Sequence, residues 1–459
     1  MKPAFRDALH VILAQRVWQA GSGLVTIVLI TRFLTPDQQG WYYSLLSLAA
    51  LYTLFDLGLS YVLVQAAAHT FIGLRWGSHG HVEGNHADRF SALAAWSTRH
   101  YLWLTVGFAL IITPLGFVFF GTTPSLAISW QLPWLVLALS SAGALLLLPF
   151  QAIVEGSGQV AEVYAVRLAQ GVVAAVVCWV ALVGGAGLWA VVMAPLAAIF
   201  VQGIWLTGRK PALLSSAWNG QFRQIDWRGE IWPHQWQIGL GWLSGYLLSQ
   251  VFIPVLFKTQ DAVVAGQMGL SLTASNMLGL LAQSWITRHV PAMARAVATR
   301  QWDQFNSIFM RDLVLSCAAF LGSAVALCLL HRMLRGTVYD GRLLPFWPFA
   351  GVLATGFLGH IQSSLAAQLR SFRREPLIWV SVAGALLTVT GALWGAVHYS
   401  APGVIAAMLT IQIVVVLPAS ILIWRKCKRN WRTSVGRDQA PPDHRNPDLE
   451  PVALPRLDA

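Results

Sequence analysis

The stretch Ile30–Ser44, ITRFLTPDQQGWYYS, decides how the chain is read. An apolar run ends at Arg32, polar and turn-forming residues follow, and apolar residues resume at Trp41. Thr35 is placed to cap a helix that begins at Pro36, because proline at a first helical position gives up only an N–H that has no helical partner. Gln38 stands where a side-chain amide can reach back to the capping residue. Asp37 complements the positive end of the new helix. The segment therefore predicts a tight helix–helix turn, with Arg32 and Trp41 as interfacial anchors. Residues 32–41 hold no Ser, Cys or His, so the turn has no nucleophile with a base beside it.

The solvent on either side of this turn follows from composition. The chain has 459 residues, 56% of them hydrophobic and 11% charged, with a mean hydropathy of +0.58. Soluble domains carry about 25% charged residues, which excludes a soluble multidomain enzyme. Apolar runs long enough to cross a bilayer recur along the whole length. The first of these, from about Ala8 to Leu34, is too long for the apolar core of a signal peptide and reads as a span. A formal charge of +12 raises the question of nucleic acid. The cations cluster at helix ends and in alternate loops, as membrane topology requires, so no nucleic-acid partner is expected. Cys178, Cys317, Cys328 and Cys427 have no metal-ligand spacing and read as buried hydrophobes or free thiols.

The pattern predicts an all-α polytopic membrane protein of about twelve helices: 8–34, 40–67, 100–120, 131–154, 160–183, 187–207, 235–257, 264–287, 310–330, 344–366, 376–398 and 402–424. Both termini and the segments 68–99, 155–167, 208–234, 288–311 and 367–375 carry about 25 of the 31 Lys and Arg residues. The opposite side carries only Arg32, Lys258, Arg332, Arg335 and Arg342, which places both termini in the cytoplasm. The outer connections are short, and none is long enough to form an external catalytic domain. Two six-helix lobes are expected, 1–207 and 235–425, joined by a cytoplasmic loop 208–234 and followed by a basic, then Pro-rich and disordered tail 426–459. A shift of 226 places Lys258 over Arg32 and Gly266 over Gly40, which suggests an internal repeat of the kind common in secondary transporters. Of the 22 Trp residues, Trp41, Trp130, Trp134 and Trp189 fall near the outer interface, and Trp205, Trp236, Trp379 and Trp424 near the inner one. They read either as an aromatic belt or as stacking platforms for a ligand.

Two motifs carry a resemblance. Thr31–Leu51, TRFLTPDQQGWYYSLLSLAAL, followed by Phe55–Gln65, FDLGLSYVLVQ, resembles the start of bacterial polysaccharide (O-antigen) flippases. These belong to the multidrug/oligosaccharidyl-lipid/polysaccharide exporter superfamily. The shared elements are Arg32 before Pro36-Asp37-x-x-Gly40-Trp41, and Asp56-Leu57-Gly58 one helix later. The resemblance implies a flippase for a lipid-linked oligosaccharide, such as a polyprenyl-pyrophosphate glycan, in the bacterial inner membrane. It would serve surface polysaccharide biosynthesis without being an enzyme itself.

The polar residues within the spans are the candidates for the transport path. Arg16, Gln19, Gly23, Thr26 and Ile30 recur at helical spacing on the first span. A lipid-facing Arg is expensive, so this stripe should face protein or water, unless Arg16 snorkels to the inner headgroups. Asp56 is the acid of the second span, and Arg16 and Asp56 lie about 27 and 30 Å below the turn at 1.5 Å per residue. Depth alone therefore allows an Arg16–Asp56 pair, which would be a structural bridge, a gating or ion-coupling element, or a headgroup contact. Gln235, Gly239, Trp242, Tyr246 and Gln250 share a face of span seven, and Gln267, Ser271, Ser275 and Gln283 a face of span eight. Amides and aromatics suit sugars, and they equally suit interhelical packing. Lys258, Arg288 and Arg32 are candidate pyrophosphate contacts or simple helix-end cations.

His69, His79, His81, His86 and His100 follow the second span, but their spacing matches no ligand pattern, and a solvated loop without metal is expected. No phosphate-binding Gly-Lys-Ser/Thr loop occurs, so no cofactor or ATPase is expected. The leading expectation is alternating-access flipping, with H+ or Na+ coupling and contacts to membrane lipids and polysaccharide assembly proteins. The alternatives are a multidrug or cation exporter, a membrane polysaccharide polymerase or glycosyltransferase, and a non-transporting scaffold.

Overall fold

The computed structural model describes residues 3–123, 128–219, 229, 232–337, 339–372 and 376–437. Helix α1 (Pro3–Phe33) crosses first, and the return crossing is built from three pieces: α2 (Pro36–Ala49), α3 (Tyr52–Asp56) and α4 (Leu59–Thr70). A small antiparallel hairpin, β1 (Arg75–Trp76) with β2 (Val82–Glu83), precedes α5 (Ala87–Gly121). Helices α6 (Gln131–Gly156), α7 (Val160–Val183) and α8 (Trp189–Arg209) complete the first lobe. The short α9 (Pro211–Asn219) leads to the second lobe, whose first crossing is α10 (Trp232–Ser249) with α11 (Phe252–Thr259). Then come α12 (Ala262–Thr287), the short α13 (Val290–Ala298), α14 (Trp302–Met333) and α15 (Phe346–Arg370). Helix α16 (Ile378–Ile411) breaks at Ser400, whose φ of 58° turns it into two antiparallel crossings, the second continuing as α17 (Leu417–Arg437). Among the described residues, nine helical stretches are long and apolar enough to cross a membrane. The chain is a multi-pass, all-α membrane protein of about twelve crossings.

The turn at 34–35 forms as its chemistry dictates. The Thr35 hydroxyl accepts the Gln38 N–H at 3.2 Å, and the Thr35 N–H donates to Gln38 Oε1 at 3.0 Å. Asp261 gives α12 the same start by accepting the Val264 N–H at 2.7 Å. Gly40 and Gly266 are each the fifth residue of their helix, and they meet across the molecule. A Cβ on Gly266 would stand 2.7 Å from the Gly40 nitrogen, and one on Gly40 would overlap the Ala262 carbonyl. Only residues without side chains let α2 and α12 approach so closely. Gln39 locks the crossing by donating to the carbonyls of Gly266 and Arg342, both at 3.0 Å.

Expectations for the loops and for the tryptophans are corrected here. Residues 68–99 are not a plain loop, because they hold the hairpin and the start of α5, whose polar first turns extend the span. The segments 208–234 and 288–311 likewise contain α9 and α13, and the basic run after Arg425 is helical to Arg437. The Pro-rich tail from 438 and most of 220–231 lie outside the described residues. Trp41, Trp130, Trp134 and Trp205 are not belt residues, being 2%, 5%, 0% and 7% exposed. Trp41 stacks on Trp130 at 5.7 Å and meets Phe257 of α11 edge-on at 4.9 Å, with Phe120 completing the cluster. Rings so placed contribute about 0.5–1.5 kcal/mol per pair beyond the area they bury. Trp189, Trp236 and Trp379 are exposed, as a belt requires.

Candidate transport cavity

The two lobes touch at the face of the 34–35 turn and again, lower down, where Gly58 meets Ile238 of α10. The closed side is that of the 34–35 turn, the hairpin face. There the Gly40–Gly266 crossing, the aromatic cluster and Lys258 join the lobes. Lys258 donates to the hydroxyls of Thr122 and of Thr123, the latter at 3.0 Å, and lies over the Phe119 ring. The opposite face is where α1 and α17 have their described ends, and it is called the terminal face.

Below the seal lies a cavity of about 830 Å³. Its first wall is α10, with Trp242 and Tyr246, and Gln250 just after its end, and its second comes from the broken crossing, with Ala50, Thr53 and Tyr61. Its third comes from α15 and α16, with Gln362, Ser363 and Ser381, and it reaches the terminal face at Arg370, Pro376 and Leu377. The roof is fixed by backbone contacts between lobes. The Tyr246 hydroxyl donates to the Ser47 carbonyl at 3.2 Å, and the Ser47 hydroxyl to the Gln250 carbonyl at 2.5 Å. The amide wall is held from behind, since Gln412 Nε2 donates to Gln362 Oε1 at 3.2 Å. Hydroxyls, amides and aromatic faces dominate the polar lining. Arg370 supplies a positive charge, and none of the lining residues is acidic.

Of the residues singled out in the sequence, Trp242, Tyr246 and Gln250 are brought together on this wall. Gln267 lies at the hairpin face and donates to the Gly341 carbonyl at 2.8 Å, away from the cavity. Lys258 belongs to the seal, and Arg288 stands at the other end of α12, 3.9 Å from Asp312. Arg16 and Gln19 are exposed on α1 and do not line the cavity. Higher on the same stripe the helix does face protein: Gly23 packs on Met277, and Thr26 accepts the Trp179 indole N–H at 2.8 Å.

Asp56 is not paired with Arg16. It is 3% exposed and accepts from the Tyr101 hydroxyl, from the Ser60 hydroxyl at 2.8 Å and from the Ser60 N–H at 3.3 Å. The last bond satisfies an N–H at a free helix start, because Leu57 and Gly58, with φ of 43° and 71°, break the crossing between α3 and α4. A Cβ on Gly58 would overlap Ile238 of α10, so the break is also where the lobes meet at the cavity edge.

The sequence reading missed two groups. The α15–α16 wall with Arg370 is one; Gln362, Ser363 and Ser364 stood in the sequence as intramembrane polar residues, but nothing told which face they occupied. The other is a network inside the first lobe. There Arg167 bonds to Gln151 at 3.1 Å and to Glu155 at 2.7 Å, and Gln151 to Gln170 and Gln202 at 3.1 Å. Among the described residues no group of three His, Cys, Asp or Glu side chains is arranged to hold a metal.

No family model matches the chain, and a comparison with curated proteins gives no match. Solved structures do match. An inward-facing multidrug resistance MATE family transporter of the MOP superfamily superposes with a TM-score of 0.60 at 13% identity, over 92% of this chain and 100% of that one. The lipid II flippase MurJ, in an inward closed conformation, gives 0.57 at 12% identity, over 95% and 93% of the two chains. A MOP superfamily transporter from Pyrococcus furiosus gives 0.54 at 13%, over 95% and 96%. The fold of this chain is that of MOP superfamily transporters.

Proposed function

We propose that this chain is a secondary transporter that flips a lipid-linked oligosaccharide from the inner to the outer leaflet, with the terminal face in the cytoplasm. The observation that carries the reading is the lining of the inter-lobe cavity. It combines a cation at its mouth with amides, hydroxyls and aromatic faces, and no carboxylate is among the described residues that line it. Arg370 would meet phosphate, since guanidinium pairs with phosphate through several directed hydrogen bonds. Gln250, Gln362 and Ser363 would meet sugar hydroxyls, and Trp242 a sugar face. The lipid tail would stay in the bilayer while the sugars cross. A cationic-drug exporter would be served better by acids on these walls. The solved relatives include both a multidrug transporter and a lipid II flippase, so the fold is compatible with either cargo.

Opening at one face and sealing at the other is what alternating access requires of one state. The Gly40–Gly266 crossing would part as the lobes rock, and the α3–α4 break held by Asp56 would be a hinge in that movement. The test is a leaflet-exchange assay in vesicles containing the purified protein and a fluorescent polyprenyl-pyrophosphate-linked oligosaccharide. Exchange should exceed that of empty vesicles and fall in Arg370→Gln and Trp242→Ala. A rate equal to that of empty vesicles would sink the proposal.

A further inference from the structure

Away from the inter-lobe cavity, the second lobe carries an apolar groove of about 550 Å³ between α14, α15 and the C-terminal end of α16. Phe320 and Leu353, both nearly fully buried, form its floor. Leu321, Val325, Leu329 and Ile413 stand along its sides and are all exposed, as side chains facing lipid are. Ala324, Ala350 and Ala354 leave the space between them open. Ile413 belongs to a π-helical turn, Gln412–Val416, which shifts its side chains off the α-helical register, a device that recurs at functional sites.

The dimensions and the charge of the groove define what it can hold. From Phe320 to Arg332 it follows α14 for about 18 Å, at 1.5 Å per residue. Half of a hydrocarbon core of about 30 Å is about 15 Å, so the groove has the depth of one leaflet. Arg332, in the last turn of α14, is the charged residue among the described lining residues, and it stands at the hairpin face, where the headgroups of that leaflet lie. Its guanidinium is held 4.4 Å from the centre of the Phe346 ring, itself part of the groove. The ion pairs among the described residues do not include Arg332. Asp340, the acid of the following loop, is engaged by the Gly336 N–H at 2.9 Å. Arg335 lies within one turn, its N–H donating to the Arg332 carbonyl at 3.4 Å, and adds a second cation.

We propose that this groove holds one acyl chain of an anionic phospholipid from the leaflet at the hairpin face, with its phosphate on Arg332. Guanidinium pairs with phosphate through directed, charge-assisted hydrogen bonds. Within a bilayer no water drives the chain into the groove, so the apolar part gains only van der Waals contact with floor and sides, and the charge supplies the selectivity. A zwitterionic lipid would bring an amine beside two cations, whereas an anionic one brings only negative charge. The site is distinct from the transport cavity: α15 lines the groove with residues in 346–358 and the cavity with residues in 359–370. It does not depend on which cargo the cavity takes.

The test uses the full chain in phosphatidylcholine vesicles without any cargo. The probe is phosphatidylglycerol with a photoactivatable group midway along one acyl chain, and adducts are located by peptide mass spectrometry after illumination. Adducts should concentrate on 320–332 and 346–358, several-fold above the equally exposed face of α5 at Leu110 and Val118. Phosphatidylcholine with the same label should be captured there roughly tenfold less well, the scale of one charged hydrogen bond. Arg332→Gln should bring the two lipids to equal capture, and Ala354→Trp should clear the groove of adducts. Adducts spread evenly over α5 and the groove would show boundary lipid only and overturn the site. A preference for phosphatidylglycerol that survives Arg332→Gln overturns the phosphate contact and the proposal with it. Capture of a photoactivatable polyprenyl phosphate that excess phosphatidylglycerol does not displace would assign the groove to another chain and also overturn it. Should Ala354→Trp fail to fold, Arg332→Gln, at an exposed position, decides the matter alone.

Discussion

Gly40 and Arg370 show how much can rest on one position. Gly40 has no side chain because the Ala262 carbonyl occupies the space where a Cβ would be. Gly40→Val should therefore hold the lobes apart at the hairpin face. The expected outcome is faster labelling of a cysteine placed at Gln39 by an impermeant thiol reagent, together with loss of probe exchange; unchanged labelling would show that the crossing is not a seal. In the proposed function Arg370 would act through its charge. A hydrogen bond to a charged group is worth about 1.5–3 kcal/mol. Arg370→Gln should weaken probe binding by roughly 10- to 100-fold, and a Kd unaffected by the change would remove Arg370 from the site. Tyr101→Phe leaves the buried Asp56 short of a donor, at a cost of about 1–3 kcal/mol. It should lower the thermal unfolding midpoint in detergent, more than the exposed Thr122→Ala does.

Among the elements, the broken second crossing explains both what the sequence revealed and what it concealed. The cap at Thr35 was legible because a capping box is a local device, made by residues three apart within one turn. Removing it with Thr35→Ala should cost about 1 kcal/mol, a small fall in midpoint with transport retained; loss of transport would give the turn a role beyond folding. The Asp56-Leu57-Gly58 motif was equally visible, but its meaning was not. Depth along a helix follows from counting residues, and the counted depths of Arg16 and Asp56 permitted a pair. Azimuth does not follow, because the interruptions at 50–51 and 57–58 reset the direction in which later side chains point. Asp56 consequently turns to Tyr101 on α5 and Ser60 on its own crossing, and Arg16 remains exposed on α1. The interfacial Trp residues failed in a related way. Trp41 and Trp189 look alike in sequence, yet one is 2% exposed inside the seal and the other 38% exposed.

At the scale of the molecule, the two lobes meet through positions that a shift of 226 brings into register. Gly40 and Gly266, the fifth residues of α2 and α12, touch each other. The same face holds Lys258 against Thr122 and Thr123. Cysteines at 122 and 258, in a background without the four native cysteines, should be bridged by a short bis-maleimide and arrest exchange. Continued exchange after complete bridging would exclude rocking about this face.

The sequence by itself determined the solvent, the number of crossings, the turn and its cap, and the Trp242–Tyr246–Gln250 stripe. Each of these is set by composition or by spacing within one helix. Only the tertiary structure decided that this stripe faces Gln362, Ser363 and Arg370, that Trp41 and Trp130 pack into the contact between the lobes, and that Asp312 lies among two arginines and a histidine. Those choices depend on how helices distant in the chain are rotated against one another, and in a bilayer that rotation is fixed by side-chain packing between helices, which no single helix records.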